Sequence, residues 1–448
     1  MTSDAAPLLR TLAGRWAGLT PSDVPDEASA VARQCILDWF GCTLAGSREP
    51  LSRILVDEVV GLEARGPCTV VGTTSSTSAR TAALVNGAAG HALDFDDTHT
   101  MLSGHPTVPV LPAVLSLAEE LDASGAAVQT ALVVGIEVEC RVGALMAPGH
   151  YRAGWHATGT IGTIGAAAGC AHLLGLDPEQ TAHALALATT QAAGLKASFG
   201  TMAKPLHAGK AASDGLLAAR LAGAGFTGNP AVLEAPQGLG KAAGGTVPDP
   251  ARLDRLEGRW AIRETLFKHH AACYLTHASI NAALDLAQRV APASVEQVEV
   301  HVSPDSLQVC DIAEPATGLE GKFSLRATTA MALLGDDTTD MAAYTDERMR
   351  ADELVALRDR VRVVPEEGRL GTRSKVVVVT ASGERHEAED DTGRPAPDLE
   401  LQQERLAAKF LGLATPVLGR ERAEALHHAI GSIEASPDSR SLCRLVRV

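Results

Sequence analysis

From residue 4 to about residue 264, apolar side chains recur at i, i+3, i+4 and i+7, as in "DEASAVARQCILDWFGCTLAG" (26–46) and "DPEQTAHALALATTQAAG" (177–194). That spacing gives each segment one apolar stripe and predicts a run of amphipathic helices with no long strand among them. Two helix starts are marked. Ser78 precedes "ARTAALVNGAAGHALD" as a cap, and Pro178 follows Asp177 at a first-turn position where its missing N–H costs little. The stretch "GTIGTIGAAAGCAHLLG" (159–175) also reads as helix, although each glycine costs about 1 kcal/mol relative to alanine. A helix weakened in this way implies backbones lying close to their neighbours.

The period changes near residue 265. "SVEQVEVHV" and "SKVVVVTASGERHEAE" are β-branched and partly alternating, the signature of a small sheet, while "KFSLRATTAMALLG" between them reads as helix. After the polar "EDDTGRPAPDLE", helical spacing returns in "LQQERLAAKFLGLA" and "GRERAEALHHAIGSI". The expected fold is mainly α: a large all-helical domain built from both chain ends (1–264 and 397–448), with a smaller α+β lid domain (265–396) inserted between them. No short-period repeat occurs, which disfavours a solenoid.

Composition narrows the function classes. Aromatic residues are 3% of the 448 while alanine and glycine abound, so small side chains fill the core, which favours close-packed helices. A net charge of −15 argues against a nucleic-acid surface, and any anionic substrate must be held by local positive groups. The eight cysteines form no CxxC pair and no Cys/His metal spacing, the pattern of reduced thiols. No secretory leader or membrane span is evident, so a cytoplasmic protein with no membrane partner is expected.

Four segments interrupt the alanine- and leucine-rich helices with titratable groups. In "GHALDFDDTHTMLSGHPTVPVLPAVL" (90–115), a helix carried through Asp94 puts Asp97 and Thr98 on its face, and His105 opens the next segment after a loop. Capping aspartates on a solvated loop are the plainer alternative. In "YRAGWHATGTIGTIG" (151–165), His156 stands just before the glycine-rich helix, whose N-terminus suits a carboxylate; a histidine satisfied by a buried hydrogen bond is the commoner case. In "SFGTMAKPLHAGKAASDG" (198–215), Lys204 and His207 sit at the start of a helix and can point into one pocket, the best local anion site; surface lysines beside a cap are its alternative. In "LFKHHAACYLTHASINAALDL" (266–286), Lys268, His269, His270, Cys273, Tyr274 and His277 crowd into ten positions at the expected domain boundary. There is no G-x-S-x-G elbow, P-loop or dinucleotide fingerprint. The chemistry these residue types support is proton abstraction beside a carboxylate: a base takes the proton, cations stabilise the enediolate, and an acid assists loss of hydroxide or, in an epimerase, returns the proton to the other face.

The order of "GHALDFDDTH" with the later "GHP", "KPLHAGKAASDG" followed by "LAGAGFTG", "KHHAACYLTH", "KFSL", "GRPAP" and a later "KF" resembles that of the MmgE/PrpD family over nearly the full length. That family includes 2-methylcitrate dehydratase, cis-aconitate decarboxylase and iminodisuccinate epimerase. The resemblance implies a homodimer with a metal-independent site in the cleft between helical domain and lid. Carried over by motif, it implies a catalytic set of His105, His156, Asp94 and Lys268. Thr98, Lys204, His207, Cys273, His277 and Arg326 are expected to bind substrate, with no metal or other cofactor. Three departures separate this chain from the decarboxylase pattern. Cys273 stands where a histidine follows the lysine matching Lys268; Arg326 and Ala327 follow "KFSL" without the expected tyrosine; and the loop from Asp94 to His105 is one residue longer. The expected function is a cofactor-independent lyase acting on a small di- or tricarboxylate, a dehydratase ahead of a decarboxylase. An epimerase of an amino- or imino-dicarboxylate is the alternative, and a non-catalytic carboxylate-binding helical protein the second.

Overall fold

Ser78 caps the helix Ala79–His91 by accepting a hydrogen bond from the Thr81 N–H, and Asp177 caps Pro178–Gln191 in a reciprocal capping box with Gln180. The signals legible in the sequence thus begin these helices in the computed structural model, which describes residues 6–63 and 65–448. The protein is mainly helical with a small sheet. It divides into two units: Met1–Phe267 with Pro397–Val448, and Lys268–Ala396.

In the larger unit, Ala203–Gly223 packs on Ala157–Leu173 and on Ala79–His91, Gly125–Met146 packs on Ala157–Leu173, and Leu399–Leu418 packs on Asp26–Gly46. Glycine is required at these crossings. A Cβ on Gly87 would lie 2.8 Å from the Cα of Gly209, and one on Gly165 would lie 2.6 Å from Glu139 Oε2. Close packing therefore offsets the low helix propensity of the glycine-rich segments. The Leu399–Leu418 helix also reaches inward: the Lys409 side chain, 7% exposed, donates to Asp38 Oδ1 at 2.6 Å and to the Phe95 carbonyl at 2.7 Å.

In the smaller unit, four strands lie in the order Val361–Pro365, Val295–Val302, Arg373–Thr380, Arg385–Asp391. The first pair is parallel and the others antiparallel, with Val298 opposite both Val361 and Val378. Helix Tyr274–Ala287 packs on the Arg373–Thr380 and Arg385–Asp391 strands, and Leu325–Leu334 packs against that helix. Among the described residues, no helix is long and apolar enough to cross a membrane.

Candidate active site

The helix that begins at Ser78 ends at His91, three residues short of Asp94, so Asp97 and Thr98 do not share a helical face with it. Asp94 has φ 50°, a left-handed turn that aspartate tolerates better than most side chains and that sends the chain off the helix axis. The loop beyond is pinned along its length. Thr98 and Leu266 exchange backbone hydrogen bonds at 2.7 and 2.8 Å, and the His99 N–H donates to the Gly104 carbonyl. His99 Nδ1 accepts from the Met101 N–H, so its Nε2–H donates to the Ala261 carbonyl, and burial holds this imidazole neutral. His99 is a loop staple. Nor are these aspartates solvated, because Asp96 and Asp97 are each only 1% exposed.

Asp96 is the hub of the site. Its carboxylate accepts from His91 Nδ1 at 2.9 Å and lies 3.2 Å from His105 Nδ1. Burial alone would raise its pKa, but the two imidazoles hold it well below the usual carboxylate range. Burial pushes His91 down to about 4 despite Asp96, aided by Lys204 and His105, so His91 serves as a neutral donor. At the partly exposed edge, Lys204 Nζ is 2.8 Å from Asp94 Oδ1, and His105 Nε2 is 3.5 Å from the same oxygen. The His105 backbone is anchored in turn by its N–H donating to Thr158 Oγ1 at 3.0 Å. Thr98 uses its hydroxyl on the Gly104 carbonyl within the same loop.

Asp97 faces the other way. It accepts from the Thr107 hydroxyl at 2.5 Å and from the Thr107 N–H, tying the loop to the helix Thr107–Leu121. Burial, with Asp38 nearby, pushes its pKa up to about 8. Glu139 beyond it is raised well above the carboxylate range by burial and by Asp97.

His156 ends the approach to helix Ala157–Leu173 as its N-cap, without a side-chain capping bond, and is 2% exposed. Its ring stacks on His91 with centroids 5.7 Å apart, and its Nδ1 is 3.2 Å from His207 Nδ1. Burial and the surrounding His91, Lys204, His105 and His207 keep it neutral. The larger unit thus brings together Asp94, His105, His156, Lys204 and His207, while Lys210 turns away to Asp214 and the Gln191 carbonyl.

Lys268, Cys273, His277 and Arg326 belong to the smaller unit. Lys268 is 1% exposed, and Cys273 Sγ is 3.2 Å from Cys310 Sγ. His277 is buried beside His270 and Tyr274 with Nε2 on the Ala272 carbonyl, and burial holds it well below the usual imidazole range. Arg326 is paired with Asp311 at 3.0 Å rather than reaching outward alone.

Sequence reasoning missed Asp96 and His91. The only local signal was a second aspartate two positions after Asp94, and its meaning depends on the turn at Asp94. The expectation of no metal also does not anticipate that one ligand atom from each of His91, Asp94, Asp96 and His105 lies within 4.8 Å of the others, the donor set of a possible cation site. A metal ion there would have to displace the Lys204 ammonium from Asp94 and an imidazole from Asp96.

Residues 10–249 match the family model described as MmgE/PrpD N-terminal domain, and residues 270–434 the one described as MmgE/PrpD C-terminal domain. A cis-aconitate decarboxylase-like protein oryM of Aspergillus oryzae is 28% identical over 96% of this chain and 95% of its own length. A cis-aconitate decarboxylase of Aspergillus terreus is 31% identical over 71% of this chain and 70% of its own length. The mouse cis-aconitate decarboxylase is 26% identical over 98% of this chain and 93% of its own length.

Proposed function

The chain belongs to the MmgE/PrpD family, and from that premise we propose that it is a lyase acting on a small di- or tricarboxylate by proton transfer beside a carboxylate. The observation that carries this reading is the convergence of Lys204, Asp94 and His105 on the buried His91–Asp96 pair. The Asp96 carboxylate, 3.2 Å from His105 Nδ1, favours a proton on that nitrogen and leaves Nε2 to take or give a proton at the exposed edge. Lys204 supplies positive charge for a substrate carboxylate, competing with Asp94 for it. No cofactor is needed for either step.

The relatives support cis-aconitate as the first substrate to test, which moves decarboxylation ahead of the dehydration expected from the sequence. In decarboxylation the carboxyl group leaves as CO2, its bonding electron pair stays on carbon, and an imidazolium proton replaces it. In dehydration the base takes a proton from the carbon beside a carboxylate, and the acid protonates the departing hydroxyl. Cys273, where the decarboxylase pattern has histidine, favours dehydration as the second reading. A homodimer and a lid role for the smaller unit belong to the same proposal; sedimentation at the mass of two chains tests the first.

Incubation with cis-aconitate and a panel of hydroxy acids and amino-dicarboxylates in heavy water, followed by NMR, separates the outcomes. Loss of CO2 with deuterium in the product identifies a decarboxylase, exchange of hydroxyl for a double bond a dehydratase, and deuterium uptake without net change an epimerase. Absence of all three with every compound overturns the proposal. His105→Ala and His156→Ala should each lower turnover by at least about 10²-fold. A double variant as active as the parent would overturn the assignment of proton transfer to these two histidines.

A further inference from the structure

His156 is buried, yet any proton it exchanges with a substrate must eventually reach water. Its ring caps nothing, and its Nδ1 meets the Nδ1 of His207 at 3.2 Å, a distance at which one nitrogen donates and the other accepts. His207 is only half-buried, so it stands between that ring and solvent. Its place is made by two glycines. A Cβ on Gly159 would lie 2.8 Å from His207 Cβ, and one on Gly194 would lie 3.2 Å from the ring. Gly194 also accepts the backbone N–H of His156, so the same turn holds both imidazoles.

We propose that His207 is a proton relay between His156 and solvent rather than a carboxylate holder; this rests on the catalytic reading of His156 above. When His156 gains a proton on its other ring nitrogen, its Nδ1 proton passes to His207 Nδ1, and His207 releases its Nε2 proton to water. The charge of the pair is unchanged, and reversal of the steps brings a proton in. Burial together with Lys210 and Lys204 disfavours the charged form of His207, so a proton arriving there is passed on rather than kept.

The test uses the full chain with 15N-labelled histidine, with the His156 signal assigned through His156→Gln. In His207→Gln, an amide that can still hydrogen-bond but cannot pass a proton on, solvent exchange of the His156 ring proton should slow by roughly tenfold or more. An unchanged exchange rate overturns the relay whether or not a substrate is known. With a turning-over substrate, His207→Gln and His207→Ala should lose kcat with KM unchanged and recover it on addition of free imidazole. Turnover of His207→Gln at the parent rate, or loss that no added buffer restores, assigns His207 a structural role instead. Should His105→Ala and His156→Ala both remain active, it is the catalytic reading that fails, and the exchange measurement still decides the relay.

Discussion

Asp96 and Asp97 are neighbours in the chain and equally buried, yet the two sides of their loop hold opposite charge states. On one side, imidazoles from His91 and His105 keep Asp96 an anion. On the other, Asp97 meets a threonine hydroxyl and the acidic Asp38 and is pushed up to about 8, with Glu139 neutral beyond it. Burial penalises the charged form of both carboxylates, so the partners decide which is charged. The contrast teaches that the charged side is where proton transfer is prepared, while the neutral side is a floor that holds the loop.

The largest expected effect falls on the floor. Lys409→Met removes the cation from buried Asp38 and the donor to the Phe95 carbonyl, and should destabilise the protein by about 3–5 kcal/mol in urea unfolding. Asp38→Asn in the same chain should recover part of that loss; a single variant as stable as the parent would mean that Lys409 does not brace the loop. Next comes the charged side. Asp96→Asn keeps the shape and removes the anion, so turnover should fall by about 10²-fold with little change in unfolding. Loss of fold rather than rate would move Asp96 to the structural side of the comparison.

A smaller effect concerns pH. The folded pKa of Asp97 is raised from 3.8 to about 8, so the folded state favours the protonated acid. Its contribution is complete below about pH 4 and is lost as pH rises to about 8. Asp97→Asn should flatten the decline of Tm across that window, and parallel curves for parent and variant would show Asp97 ionising normally. The smallest effect is expected from a chelator. Because Lys204 and the imidazoles already occupy the Asp94 and Asp96 carboxylates, EDTA should leave activity unchanged, and inhibition reversed by a divalent cation would reassign the cluster.

Much of the helical pattern was legible because it depends on neighbours a few positions apart. Ser78 and Asp177 cap as their residue types suggest, and "GTIGTIG" packs tightly against Glu139 and Pro109 as its small side chains require. Asp94, His105, His156 and Lys204 stood out as titratable groups within apolar sequence, and the larger unit gathers them. Helical continuation through Asp94 failed because a left-handed residue breaks the period there, a conformation aspartate permits without advertising it. His91 and Asp96 were missed for the same reason, since their meeting depends on that turn. Arg326 looked available in sequence, but Asp311, fifteen positions away, holds it.

By itself the sequence determined the helical periods, the two marked caps, the change to β-branched alternation and the residue types collected in four segments, all of which follow from local spacing and propensity. Only the tertiary structure decided that Asp96 is charged and Asp97 is not, that His99 is a staple, that His156 pairs with His207, and that Lys409 braces a loop against Asp38 from 371 positions away. Ionisation and hydrogen bonding depend on burial and on groups brought close through space, and no periodicity along the chain records those distances.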